Sequence, residues 1–145
     1  YASLLSGITL AQVGLGSVHG LASPLGAYFP IPHGVVCGTL VAAATEVNIN
    51  AMQVRQPGNP ALKKYAQTGR LLSGKDELNE AAALYSLCSW LKNCCEQLHL
   101  PRLGAYGISE GDFPLIVANS RGSSMQTNPI VLTDEEIASI LHQRL

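Results

Sequence analysis

Two histidines lie fourteen residues apart near the start of the chain, and they are the side chains best suited to do chemistry. His19 stands in GSVHGLASPLG (residues 16–26), and His33 stands in PIPHG (residues 30–34). Neutral imidazole is the commonest protein ligand for first-row divalent metals, and glycines let the backbone approach closely. The pair is therefore a candidate metal site. From the residues alone, His19 can equally be a hydrogen-bonded core histidine and His33 an exposed loop residue.

The segments around these histidines are predicted to be helices joined by a loop. Apolar residues at helical spacing over residues 4–13 indicate a buried helix. The glycines at 14, 16 and 20 lower helix propensity by roughly 1 kcal/mol each relative to alanine, which suggests close helix contacts. Pro24 should end the helix that carries His19, leaving residues 24–32 as a loop. His33 then precedes an apolar helix over residues 34–44 in the middle of a bundle.

The remaining helices have recognisable ends. Asn59 and Pro60 predict the cap and the first residue of one helix. Apolar residues at three- and four-residue steps over residues 84–98 indicate a long amphipathic helix. Capping-box spacings at residues 109–112 and 133–136 predict two more helices. Since no segment alternates apolar and polar residues as a strand does, the predicted fold class is all-α, a helical bundle.

Composition excludes several classes of protein. The chain has 145 residues, 47% of them hydrophobic, and a net charge of −1, which suits one globular domain. Its cationic residues are scattered, so a nucleic-acid partner is not expected. The longest apolar stretch, residues 35–44, is too short to cross a membrane, and the first residues lack the pattern of a signal peptide. We therefore expect a cytoplasmic protein with no membrane partner.

Several other residues receive ordinary structural interpretations. No two of the four cysteines have CxxC spacing, so all four are predicted to be buried small apolar residues. His99 and His142 lie near predicted helix ends, and Trp90 is expected to pack on the long helix. Arg121 can contact a phosphate or a carboxylate, although a solvated loop charge is the simpler interpretation.

The double-histidine segment and the motifs after it resemble the C-terminal helical domain of the iron-containing (group III) alcohol dehydrogenases. Residues 16–34 are similar to the signature around the last two metal-binding histidines of that family. The match continues, in order, through Asn48, KYA (64–66), LPRL (100–103), YGI (106–108), NP (128–129) and LTDEEI (132–137).

The resemblance implies an NAD(P)-dependent oxidoreductase that interconverts an alcohol with an aldehyde or ketone. In that family one aspartate and three histidines bind the metal, and His19 and His33 match the third and fourth ligands. The aspartate, the first histidine and a nucleotide-binding α/β domain are then expected upstream of Tyr1. Residues 1–145 are thus expected to be a partial helical domain that holds Fe²⁺ or Zn²⁺ and is inactive alone, with NAD or NADP bound mainly by the upstream part.

Two positions depart from the family pattern. Ser23 matches a proton-relay position where many members have a histidine, and a serine hydroxyl is a poor base near neutral pH. Ser124 matches a cysteine position ahead of the Asn-Pro pair, and it is expected to line the nicotinamide end of the cleft.

Two other functions stay open at this point. One is a non-catalytic helical assembly domain on the same scaffold. The other is a glycerol-dehydrogenase-like or maleylacetate-reductase-like oxidoreductase that uses zinc or no metal. The expected partners are a small alcohol or aldehyde substrate, a second copy in a homodimer, and the upstream part of the same polypeptide.

Overall fold

The computed structural model describes residues 1–145, and all of its regular secondary structure is helical. The α-helices are α1 (Ala2–Val13), α2 (Ser17–Tyr28), α3 (His33–Arg55), α4 (Pro60–Ser73), α5 (Glu80–Gln97), α6 (Phe113–Ala118), α7 (Ser123–Gln126) and α8 (Asp134–His142). Two 3-10 helices, Leu103–Tyr106 and Glu110–Asp112, separate α5 from α6. The predicted all-α bundle is confirmed.

Helix α3 is the centre of the bundle. It packs against α2, α4, α5 and α8, and its side chains at Val36, Leu40 and Met52 are fully buried. Burial of that kind contributes about 1.5–3 kcal/mol for each large apolar side chain. The helix is long and apolar enough to cross a membrane, but 67% of its apolar window lies inside the fold, as in core helices of soluble proteins. The apolar run that the sequence indicates is thus the first half of a longer, buried helix.

Local capping signals set several helix ends where the sequence predicts them. The Asn59 side chain accepts a 2.9 Å hydrogen bond from the backbone N–H of Ala61, and Pro60 is the first residue of α4. Gly74 ends that helix in the left-handed conformation, with φ of 67°. Thr133 and Glu136 form the predicted capping box of α8. These contacts lie within a few residues of one another, so sequence alone specifies them.

The capping box at Ser109 and Asp112 begins a 3-10 turn rather than the predicted α-helix. The α-helix starts three residues later, at Phe113. Pro114 explains the delay, because proline has no backbone N–H to donate and is tolerated only in the first turn of a helix.

The prediction that Pro24 ends a helix is wrong. Helix α2 continues through Pro24 to Tyr28, and only residues 29–32 form a connection. Leu21 and Leu25, on either side of the proline, are fully buried. Burial of this face against the core outweighs the hydrogen bond that proline cannot make.

Helix α1 exists, but the prediction that it is buried is wrong. None of its residues is buried, and the helix is bent by 94° from α2. Its exposed large apolar residues are Leu4, Leu5, Ile8, Leu10 and Val13. Apolar periodicity reports that a face is suited to burial, but it does not report whether another element covers that face.

Candidate metal centre

Three potential metal ligands meet where α2 and α3 begin. The ring centroids of His19 and His33 are 5.3 Å apart, and the Sγ atom of Cys37 lies beside both rings. The Cys37 Sγ is 3.7 Å from Nε2 of His19 and 3.5 Å from Nε2 of His33. One ligand atom from each of the three residues lies within 4.8 Å of the others. The structure thus brings the two predicted histidines together.

The connection between α2 and α3 brings the two histidines together although a helix separates them in sequence. His19 is the third residue of α2, and His33 is the first residue of α3. Helix α2 rises about 13 Å between His19 and Tyr28. Residues 29–32 are few, yet an extended chain of that length can return over the same distance. The start of α3 therefore lies beside the start of α2.

Burial and the second imidazole favour the neutral form of His19. Burial, and to a lesser extent the nearby His33, hold the pKa of the His19 imidazole below its ordinary value. Neutral imidazole keeps a ring-nitrogen lone pair free, which is the form that binds a metal. The cluster of three contains no carboxylate.

Cys37 is the member of the cluster that the sequence interpretation missed. It is half-buried, as are Cys88 and Cys94, so the prediction of buried cysteines is wrong for these three and confirmed for Cys95. The signal that could have found it is its spacing, because His33 and Cys37 are four residues apart at the start of one helix and must share a face.

A buried polar network fixes the start of α2, and so the backbone that carries His19. The side chains of Asn48 and Asn128 face each other, with Nδ2 of Asn128 donating to Oδ1 of Asn48 at 2.8 Å. Oδ1 of Asn128 accepts from the backbone N–H of Ser17 at 3.0 Å, and the Asn48 amide donates to the Ser17 hydroxyl at 3.2 Å. Asn128 therefore caps a helix that begins 111 residues earlier in the chain.

Gly20 allows α7 to approach the same helix closely. A Cβ atom at position 20 would lie 2.9 Å from Cε of Met125 and 3.0 Å from the backbone oxygen of Ser120. At position 16 it would lie 3.1 Å from Oδ1 of Asn128. The predicted close contacts of Gly16 and Gly20 are confirmed, and these two glycines flank His19 in the sequence.

Replacing Asn128 by alanine should weaken both the fold and the site. The variant leaves the Ser17 N–H without its acceptor and Oδ1 of Asn48 without its donor, which should lower the free energy of unfolding by about 2–4 kcal/mol. Urea unfolding measures this loss. Asn119→Ala is the matched control, because Asn119 is exposed just after α6 and its side chain bonds only the carbonyl of Leu115 in that helix. Equal stability of the two variants would contradict a capping role for Asn128.

The two serines with predicted roles lie on the helices of this region without joining the cluster. Ser23 is exposed on α2, four residues after His19. Ser124 is half-buried in α7, the short helix that packs against α2. Neither hydrogen-bonds to the imidazoles, whose hydrogen-bond partner is Cys37.

Arg121, His142 and His99 lie outside the metal cluster. Arg121 is an exposed loop residue, as predicted, and it pairs with the carboxylate of Asp134 and donates to the carbonyl of Leu132 at 2.9 Å. His142, the last residue of α8, packs edge-on against Phe113. His99 follows α5 with a positive φ of 49°.

The whole chain matches the C-terminal part of one protein family. The model of the Fe-containing alcohol dehydrogenase family, C-terminal, matches residues 1–145. The chain is 30% identical over 152 residues to 1-propanol dehydrogenase PduQ of Salmonella typhimurium, covering 99% of this chain and 39% of that protein. It is 29% identical over 149 residues to 1,3-propanediol dehydrogenase of Klebsiella pneumoniae, covering 99% of this chain and 35% of that protein.

The fold of the chain is similar to that of solved structures from the same family. The crystal structure of a 1,3-propanediol oxidoreductase superposes with a TM-score of 0.84 at 26% identity, covering all of this chain and 36% of that one. The chain thus spans little more than a third of the length of these relatives.

Proposed function

The chain belongs to the Fe-containing alcohol dehydrogenase family, and from this premise we propose that it is the metal-binding helical part of an NAD(P)-dependent alcohol dehydrogenase. The observation that carries the proposal is the convergence of the two signature imidazoles, with centroids 5.3 Å apart, at the start of α2 and α3. The proposed reaction interconverts a small alcohol with its aldehyde or ketone. The alcohol carbon gives a hydride to the nicotinamide, and its hydroxyl gives a proton to water.

The donor set fits a divalent cation. Two imidazole nitrogens suit iron and zinc alike, and burial lowers the pKa of the His19 imidazole, which favours its neutral form. In this proposal His19 and His33 hold Fe²⁺ or Zn²⁺, which when bound acts as a Lewis acid on the substrate oxygen. An aspartate and another histidine from the upstream part of the polypeptide complete the family's ligand set.

The remaining roles belong to the chain's own polar residues. The exposed Ser23 hydroxyl, four residues beyond His19 on the same helix, can accept one hydrogen bond and donate another. We propose that the Ser23 hydroxyl passes the alcohol proton to water. Ser124 on α7 is assigned to the nicotinamide end of the cleft. The dinucleotide itself is assigned to the upstream α/β domain, and the exposed apolar face of α1 suits contact with that part or with a second copy.

The test separates metal binding from turnover. The full-length protein and residues 1–145 are each loaded with Fe²⁺ or Zn²⁺ without oxygen, and metal content is measured after gel filtration. Reduction of NAD⁺ and NADP⁺ is then followed with propan-1-ol and propane-1,3-diol. We expect the full-length protein to hold metal and turn over, and residues 1–145 to be inactive. A metal-free, stable oligomer would instead favour an assembly domain, and turnover by residues 1–145 alone would contradict the proposal.

A further inference from the structure

We propose that Cys37 is a third direct metal ligand, so that this domain alone provides a His₂Cys donor set, and that this donor set prefers zinc to harder cations. The inference rests on the proposed metal-binding function of His19 and His33 and adds a sulfur donor to it. The observation behind it is the placement of one thiol beside both imidazole nitrogens.

The distances around Cys37 match those of a tetrahedral zinc site. With metal–nitrogen bonds of about 2.05 Å and metal–sulfur bonds of about 2.3 Å, tetrahedral angles separate nitrogen from sulfur by about 3.6 Å. The Sγ atom of Cys37 lies 3.7 Å from Nε2 of His19 and 3.5 Å from Nε2 of His33. Both edges therefore have the required length before any metal is placed.

The local structure holds the thiol in this position. Cys37 is one turn beyond His33 on α3, so the same helix face presents both groups. The backbone on either side is fixed by the core, since Val36 and Leu40 are fully buried. The imidazoles are also the hydrogen-bonding partners of the Cys37 Sγ. Helix α3 thus holds the Cys37 sulfur within 3.7 Å of Nε2 of both imidazoles.

The chemistry of the donors favours zinc over harder cations. Thiolate is a soft ligand that selects zinc, whereas sites of carboxylate and carbonyl oxygens suit magnesium or manganese. A metal binds the thiolate and not the thiol, so the cation displaces the proton from the Cys37 sulfur. Binding one Zn²⁺ therefore releases one proton from sulfur and forms one zinc–sulfur bond.

Cobalt(II) titration of the purified protein tests the assignment. Cobalt(II) adopts zinc sites, and a sulfur ligand adds a charge-transfer absorption in the near ultraviolet that nitrogen and oxygen ligands do not give. We expect this band in the wild type and in Cys88→Ser, whose half-buried thiol lies on α5. Cys37→Ser should lose the band and bind zinc more than about 100-fold more weakly, because loss of an outer-shell partner alone costs 10- to 100-fold.

A second measurement needs no variant. Saturating zinc should protect Cys37 of the wild type from alkylation by iodoacetamide while leaving Cys94 as reactive as before, which peptide mass mapping reports. Metal binding without the charge-transfer band, or unprotected Cys37, would overturn the sulfur ligand and leave the histidine site standing. No binding of cobalt or zinc by the wild type would overturn the proposed metal function itself.

Discussion

Replacing His33 by alanine in the full-length protein should strip the metal and lower alcohol-dependent NAD(P)⁺ reduction by at least about 1,000-fold. The reason is that the metal, as a Lewis acid, lowers the activation barrier by several kcal/mol. Each 1.4 kcal/mol of barrier changes the rate about tenfold. His33 is exposed at the first residue of α3, so its removal leaves no cavity in the core. Metal analysis after gel filtration and initial rates at saturating alcohol measure the two effects.

The control for this variant is His99→Asn. His99 is exposed beyond the end of α5, and asparagine tolerates the positive φ that this position requires. The control should keep both its metal and its rate. His19→Ala should behave as His33→Ala does, with nucleotide binding intact in both. A His33→Ala protein that still turns over would remove His33 from the ligand set.

Most helix positions were predictable from sequence because the residues that end a helix lie next to it. Asn59 bonds the N–H of Ala61, and Thr133 pairs with Glu136, each within one turn. Such contacts depend on local backbone geometry alone. The position of His33 at a helix start followed in the same way from the prolines before it.

The errors occurred where burial, rather than local geometry, decides the structure. Pro24 lies inside α2 because Leu21 and Leu25 are fully buried, and that gain lies outside the helix itself. All four cysteines were predicted to be buried apolar residues because no two of them have metal-binding spacing. The informative spacing was that of Cys37 to His33, which joins different residue types.

The support of the site was out of reach of sequence for a different reason. Asn128 caps α2 by bonding the N–H of Ser17, and it pairs with Asn48 from 80 residues away. Only the packed bundle brings these three segments together. The resemblance to the family includes Asn48 and Asn128 by position, but it does not give them a role. The structure supplies one, which is to hold the helix that carries His19.

A large loss of stability should come from Gly69→Ala, at a glycine remote from the site. Gly69 is buried in α4 where this helix crosses α5, and a Cβ atom there would lie 2.0 Å from the backbone oxygen of Ala83. It would also lie 2.9 Å from the carbonyl carbon of Ala83 and 3.3 Å from Cβ of Leu87. None of these atoms is the flexible end of a side chain. The two helices must therefore move apart, at a cost of about 3 kcal/mol in the free energy of unfolding.

Gly26→Ala is the matched control, because it makes the same chemical change inside a helix with open space around it. Nothing lies within 4 Å of a Cβ atom at position 26 in α2, so the higher helix propensity of alanine should stabilise the protein by up to about 1 kcal/mol. Urea unfolding of the two variants should therefore shift in opposite directions. Saturating zinc should raise the urea midpoint of Gly69→Ala, because α4 and α5 lie outside the metal cluster and the variant should still bind zinc. A ligand that binds only the native state stabilises that state by mass action. A Gly69→Ala midpoint equal to that of the wild type would show that α4 and α5 are packed less tightly than described.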